Sequence, residues 1–135
     1  MKTLAYDLHL HSCLSPCGDN DMTPANIAGM AKIIGLDLIA LTDHNSCKNC
    51  PAVAIAAREY GLLFLPGMEL TTAEEVHVLC YFASLDAAMD FDRYVSGHLP
   101  DTPNKPMFFG DQLIYNKQDQ ISCTAIIDLC HRSSL

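Results

Sequence analysis

Five residues of this 135-residue chain have the types and spacing of a metal centre: His9, His11, His44, Glu69 and His77. His9 and His11 are separated by one residue, and on a strand positions i and i+2 point to the same face. Two imidazoles at one strand end can hold a divalent cation. Asp7 lies on the same face two residues earlier and could orient one of them from behind. His44 sits in an abrupt polar trio, Asp43-His44-Asn45, after the apolar run Leu36 to Thr42. Glu69 follows Pro66-Gly67-Met68, and each oxygen of a carboxylate can bind one ion. His77 opens the apolar run that ends at Phe82. A single histidine in such a run is more often a satisfied core residue, and a single glutamate is more often solvated. Four consecutive apolar runs that each carry His or Glu near one end are harder to explain by packing.

The mixture of imidazole and carboxylate suits Zn, Mn or Fe. Two or three such ions lower the pKa of a bridging water, so hydroxide is available near neutral pH, and they neutralise a bound phosphate. The expected chemistry is metal-assisted hydrolysis of a small phosphorylated substrate. The sequence has no Gly-rich phosphate loop and no Gly-x-Ser-x-Gly nucleophile element. The first is unnecessary if metals hold the phosphate.

Four cysteines offer a second possibility. Cys13 and Cys17 fall in the loop after the first strand, and Cys47 and Cys50 in the loop after the second. Cys-x3-Cys and Cys-x2-Cys on adjacent loops supply four thiols, enough for a structural zinc or an iron–sulfur cluster. The alternatives are free thiols or a redox-labile Cys47/Cys50 pair. On this reading the chain is a non-catalytic metal-binding or redox module. Cys80, Cys123 and Cys130 read as small buried hydrophobes.

The elements that must position these residues alternate between strand and helix, which predicts an α/β domain. Ala5 to His11 reads as a buried strand, followed by a loop to Met22 rich in Ser, Pro, Gly, Asp and Asn. Thr23-Pro24 opens a helix with Ile27, Met30, Ala31 and Ile34 on one face, stopped by Gly35. Leu36 to Thr42 is the second strand. A second helix runs from about Pro51 to Tyr60, and Leu62 to Leu65 is a third strand ending in Pro66-Gly67. Val76 to Phe82 is the fourth strand. Asp86 caps a third helix whose inner face is Ala88, Phe91, Val95 and Leu99. If the sheet is parallel, the carboxyl ends of successive strands lie side by side and bring His44 to His9 and His11. Pro100, Pro103 and Pro106 then mark a connecting loop. Gln112 to Asn116 and Gln120 to Thr124 could pair as a hairpin, and Ala125 to His131 has a short helical pattern.

Sixteen acidic against eight basic residues leave a net charge of -8, which argues against tight electrostatic binding to nucleic acid. No apolar stretch approaches the roughly 20 residues that cross a bilayer, and the N-terminus turns acidic before any signal-peptide core develops. Seven cysteines without an export signal point to reduced thiols or metal ligands in a cytoplasmic protein.

Together, Asp7-Leu8-His9-Leu10-His11-Ser12, Thr42-Asp43-His44-Asn45, Gly67-Met68-Glu69 and Glu75-Val76-His77 resemble the motifs of the PHP (polymerase and histidinol phosphatase) superfamily over roughly residues 4 to 100. The resemblance implies a distorted (β/α)7 TIM-like barrel, of which this chain supplies roughly the first four strands with their helices. It implies a site of two or three metals at the carboxyl ends of the strands. Family members are mostly phosphoesterases acting on histidinol phosphate, nucleotides or DNA 3′ ends. His9, His11, His44, Glu69 and His77 then look like metal ligands. The family's first loop also supplies an Asp five residues before the helix-opening Pro, which falls on Asp19, with Asp21 as the neighbouring alternative. The family's later His and Asp-x-His are not matched, and His131 is a poor fit to the former. The expectation is a single, truncated domain over residues 1–135 that stops about halfway around the barrel and whose own activity is in doubt.

Overall fold

The computed structural model describes residues 3–99, 104–115 and, for its backbone, 121–124. Four strands form one mixed sheet in the order β1 (Tyr6–Leu10), β2 (Leu38–Leu41), β3 (Leu63–Thr71), β4 (His77–Tyr81). Helices α1 (Pro24–Ile33) and α2 (Cys50–Glu59) cross between the first three strands, which are parallel. The fold is therefore α/β, as the alternation of patterns predicts.

Local signals act where the sequence places them. Thr23 caps α1, its hydroxyl accepting the Asn26 N–H at 3.2 Å, with Pro24 as the first helical residue. Gly35 and Gly61 follow α1 and α2 with positive φ, and the next residues, Leu36 and Leu62, donate back to Ala31 and Ala57. Ile27, Ala28 and Ala31 of α1 meet Val53, Ala56 and Ala57 of α2 and Ile39 and Leu41 of β2 in one apolar core. Met30 and Ile34 do not join it. They are exposed and line an open groove with Leu10, Met22 and Leu36, beside β1, an outer strand of the described sheet.

Three expectations are corrected. β3 does not end at Leu65 but runs on through Pro66-Gly67 to Thr71. Its first half pairs with β2 as far as Leu41↔Pro66, and its second half pairs with β4. Gly67 allows this, because a Cβ there would meet Thr42 Cγ2 at 2.9 Å and the Leu41 and Cys80 carbonyls at 3.0 Å. The fourth strand is antiparallel to the third, with Thr71↔His77 and Glu69↔Leu79 in register, so it closes a hairpin instead of a further parallel unit. Ser84, not Asp86, caps α3 (Leu85–Ser96), accepting the Ala87 N–H at 3.2 Å; Asp86 lies in the first turn. Ala88 and Val95 are buried on the expected face of that helix, with Phe91 and Leu99 packed beside them.

Beyond the connecting loop, a short helix α4 (Pro106–Phe109) precedes an antiparallel hairpin of β5 (Leu113–Tyr115) and β6 (Ile121–Thr124). The hairpin lies where the sequence predicts one. Asn49 attaches it to the body, donating to the Leu113 carbonyl at 3.0 Å and accepting from the Tyr115 N–H at 2.8 Å. The predicted helix from Ala125 to His131, with Cys130, lies outside the described residues. No helix among the described residues is long and apolar enough to cross a membrane.

Candidate metal centre

His9 lies in β1, and His11 follows just past its end at Leu10. β2 ends at Leu41 and delivers Thr42, Asp43 and His44, with the Thr42 N–H bonded to the Leu10 carbonyl at 2.8 Å. The extension of β3 carries Glu69 alongside His44. The Glu69 N–H donates to the Asp43 carbonyl, and the Asn45 N–H donates to the Glu69 carbonyl. His77 opens β4. Because that strand is antiparallel, its amino end lies at the same end of the sheet as the carboxyl ends of β1 to β3. A parallel fourth strand would have put the first residue at the opposite end.

The four predicted histidines meet around Glu69. Its Oε2 lies 3.1 Å from His9 Nε2, 3.0 Å from His11 Nε2 and 3.6 Å from His44 Nδ1, and its Oε1 lies 2.7 Å from His77 Nδ1. His9 Nε2 and His11 Nε2 are 3.1 Å apart. Three donor atoms so spaced stand at roughly the separation that metal–ligand bonds of about 2.0–2.2 Å impose on neighbours around one ion. The side chains of His11, His44 and Glu69 form a floor, 19%, 9% and 8% exposed, while His9 and His77 form a half-exposed rim. His44 Nδ1 is buried without a hydrogen-bond partner. An orphaned buried nitrogen is costly unless something else engages its lone pair or proton. The donor set and this orphan both fit a divalent cation.

Behind the floor lies a polar network. Asp43 is fully buried and accepts from the Ser12 N–H at 2.7 Å, the Ser12 hydroxyl at 2.6 Å and the Ser15 hydroxyl at 2.8 Å. Ser15 Oγ in turn accepts the His44 N–H at 3.1 Å and lies 3.1 Å from His11 Nδ1. Its one proton goes to Asp43, so His11 Nδ1 is the donor in that contact. This leaves the lone pair of a neutral His11 on Nε2, facing Glu69. On the other side, Asp92 of α3 holds the loop after His44. It accepts from the Ser46 hydroxyl at 3.0 Å and the Cys47 N–H at 2.7 Å, and pairs with Lys48 Nζ at 3.3 Å.

The electrostatics favour the neutral forms of His11 and His44. Burial, then the neighbouring His44, pull His11 down to about 4, and burial likewise lowers His44. Burial pushes Glu69 up, but hydrogen bonds from His9 and His77 and the nearby His44 and His11 hold it below the usual carboxylate range. Asp43 is raised to about 6 by burial, in spite of its three donors. Neutral imidazoles around an ionised carboxylate are the protonation states a metal site needs.

The thiols do not gather as a four-cysteine site. Cys47 and Cys50 are buried in the core with both Sγ atoms on the Gly67 carbonyl, at 3.2 and 3.6 Å. Each thiol donates a weak hydrogen bond to that carbonyl. Cys13 is buried against the Leu113 carbonyl. Among the described residues only Cys17 enters a potential ligand group, with His11 and His44. Asp19 enters none; its carboxylate accepts the Asp21 N–H at 2.8 Å and closes a turn. Sequence reasoning missed Ser15 and Asp92, since a loop serine and a helix aspartate carry no signal of their own, and it placed Cys17 in a different group.

A family model described as the PHP domain matches residues 7–135, and the chain belongs to this family. Over 80 residues it is 32% identical to a 5′-3′ exoribonuclease of Haemophilus influenzae, covering 57% of this chain and 28% of that protein. Over 76 residues it is 32% identical to an uncharacterised protein of Methanocaldococcus jannaschii, covering 50% and 44%. Among solved structures, one from Bifidobacterium adolescentis, classed as a metal-dependent phosphoesterase, superposes with a TM-score of 0.53 at 26% identity, covering 68% of this chain and 33% of that one. An amidohydrolase from Chromobacterium violaceum, with bound sulfate and no metal, superposes with a TM-score of 0.54 at 29% identity, covering 66% and 32%. The chain thus spans between about a quarter and a half of the relatives it matches. The sheet is part of a TIM-like barrel of the kind these neighbours have, a scaffold of metal-dependent hydrolases.

Proposed function

We propose that this chain carries ligands of a metal-dependent phosphoesterase centre acting on small phosphate esters. The observation that carries the reading is the arrangement around Glu69. Oε2 faces His9, His11 and, at 3.6 Å, the buried His44 Nδ1, which has no hydrogen-bond partner, and Oε1 faces His77. Glu69 would be shared by the ions that His9, His11, His44 and His77 hold. Zn, Mn and Fe suit these donors, two or three ions to a complete site. Bound ions supply positive charge against phosphate oxygens and lower the pKa of a water. The chain's own part is orientation. Ser15 sets the tautomer of His11, Asp43 anchors Ser15, and half-exposed His9 and His77 form the rim that substrate would approach.

Two relatives support the phosphate assignment. One is classed as a metal-dependent phosphoesterase, and another binds sulfate, an anion with the shape of phosphate. The exoribonuclease relative extends the candidate substrates to phosphodiesters. The test is release of p-nitrophenol from p-nitrophenyl phosphate and bis(p-nitrophenyl) phosphate by protein loaded with Mn2+ or Zn2+. Hydrolysis and metal content should both fall in His9→Ala and His11→Ala. An inactive protein whose metal content is indifferent to both substitutions rejects the reading.

A further inference from the structure

We infer that Cys17 is a thiolate ligand of this centre, joining His11 and His44 in a mixed nitrogen–sulfur donor set that favours zinc over manganese. The inference rests on the reading of the histidine cluster as a metal centre and adds a donor to it.

The Cys17 sulfur and one ring nitrogen each of His11 and His44 lie within 4.8 Å of one another. Bonds of about 2.3 Å to sulfur and 2.0–2.1 Å to nitrogen can bridge such a group after small side-chain adjustments. Neither histidine is a stray neighbour. His11 also belongs to the group with His9 and Glu69, and His44 to the group with Glu69 and His77. The His44 side chain is nine-tenths buried, and its Nδ1, 3.6 Å from Glu69 Oε2, has no hydrogen-bond partner, which independently points to a ligand on His44.

The loop holds Cys17 here by close packing. The Ser15 N–H donates to the Ser12 carbonyl, and the Gly18 N–H donates to the Ser15 carbonyl at 2.8 Å. A Cβ on Gly18 would lie 2.1 Å from the Ser12 carbonyl oxygen, so no side chain fits next to Cys17 in this turn. Ser15 ties the same turn to Asp43 and to the His44 backbone. Cys17 is also exposed, unlike Cys13, Cys47 and Cys50, and its thiol is not committed to the core.

Burial and the charges of Asp43 and Glu69 raise the Cys17 thiol, so a bound cation would have to draw off its proton. Among the five convergent residues only Glu69 is anionic, while the charge of Asp43 is absorbed by three donors behind the site. A thiolate would double the negative charge offered to the ions. It would also make the site softer, which selects zinc rather than manganese. As the sulfur–metal bond forms, the thiol proton leaves to solvent.

The experiment uses Co2+ as a spectroscopic stand-in for Zn2+. Wild-type protein should show a near-ultraviolet sulfur-to-cobalt charge-transfer band. Cys17→Ser should lose that band while retaining cobalt and its visible ligand-field bands, and Cys17→Asp should shift the metal preference from Zn2+ towards Mn2+. Cobalt bound with no charge-transfer band, or a band that survives Cys17→Ser, overturns the inference and leaves the histidine centre standing. Failure of the wild-type protein to bind cobalt overturns both. His11→Ala identifies binding elsewhere, since cobalt fully retained in that variant places the ion outside this site.

Discussion

Ser15 links the buried carboxylate of Asp43 to two histidines at once. Its hydroxyl donates to Asp43 and accepts from His11 Nδ1 and the His44 backbone, all within 3.1 Å. Removing it would free the His11 ring to take the other tautomer and leave a buried N–H unpaired. Partners of this kind typically change metal affinity 10–100-fold when lost. Ser15→Ala should therefore weaken Zn2+ binding by about that factor in competition with a chromogenic chelator, with the fold intact by circular dichroism. Unchanged affinity would show that the ring needs no such guide. Cys17 belongs to the same loop, so the two residues divide the work: one orients a ligand and the other is proposed as a ligand.

At the scale of elements, the loop between β2 and α2 is the part most dependent on distant support. It carries His44 and is anchored by α3 through Asp92, which is buried and takes contacts from Ser46, Cys47 and Lys48. Truncating it strands two buried donors and a cation. Asp92→Ala should cost about 2–4 kcal/mol in denaturant unfolding, with Asp92→Asn less damaging because its amide oxygen can still accept. A loss below about 0.5 kcal/mol, the range of ordinary surface substitutions, would mean that the loop holds without α3. The same logic applies to β3. Its passage through Gly67 lets β4 fold back, and that hairpin carries His77 to the carboxyl ends of the parallel strands.

The whole metal-free molecule should respond to pH through this cluster. His11 titrates near 4 when folded and near its ordinary 6.5 when unfolded, so unfolding takes up a proton between those values. That contribution is present above about pH 6.5 and is lost as pH falls towards 4. Lowered His44 acts in the same sense, and lowered Glu69 does so at more acid pH. Asp43 opposes them: raised to about 6 from 3.8, it contributes stability below 3.8 that is lost as pH rises through 6. The His11 and Asp43 contributions run in opposite directions over nearly the same range, so the lowered His44 decides the sign above pH 4.5. The urea midpoint of the metal-free protein should fall between pH 7 and 4.5, and more shallowly in His11→Gln. A midpoint that rises on acidification would show that Asp43 dominates.

Residue chemistry and local periodicity determined a good deal by sequence alone. Donor types, strand and helix patterns and caps such as Thr23 are local properties, and the family motifs span only short stretches. They were enough to identify the α/β class, Glu69 and the four histidines that converge on it. What the tertiary structure decided is non-local. The antiparallel direction of β4 depends on how β3 changes partners at Gly67, and that direction puts His77 in the cluster. The separation of the four loop thiols depends on which of them face the core. Cys47 and Cys50 turn to the Gly67 carbonyl inside the sheet–helix interface, whereas Cys17 stays on the loop beside His11 and His44. Equal residue types at equal sequence spacing have different fates because pairing register and burial are set by the whole fold.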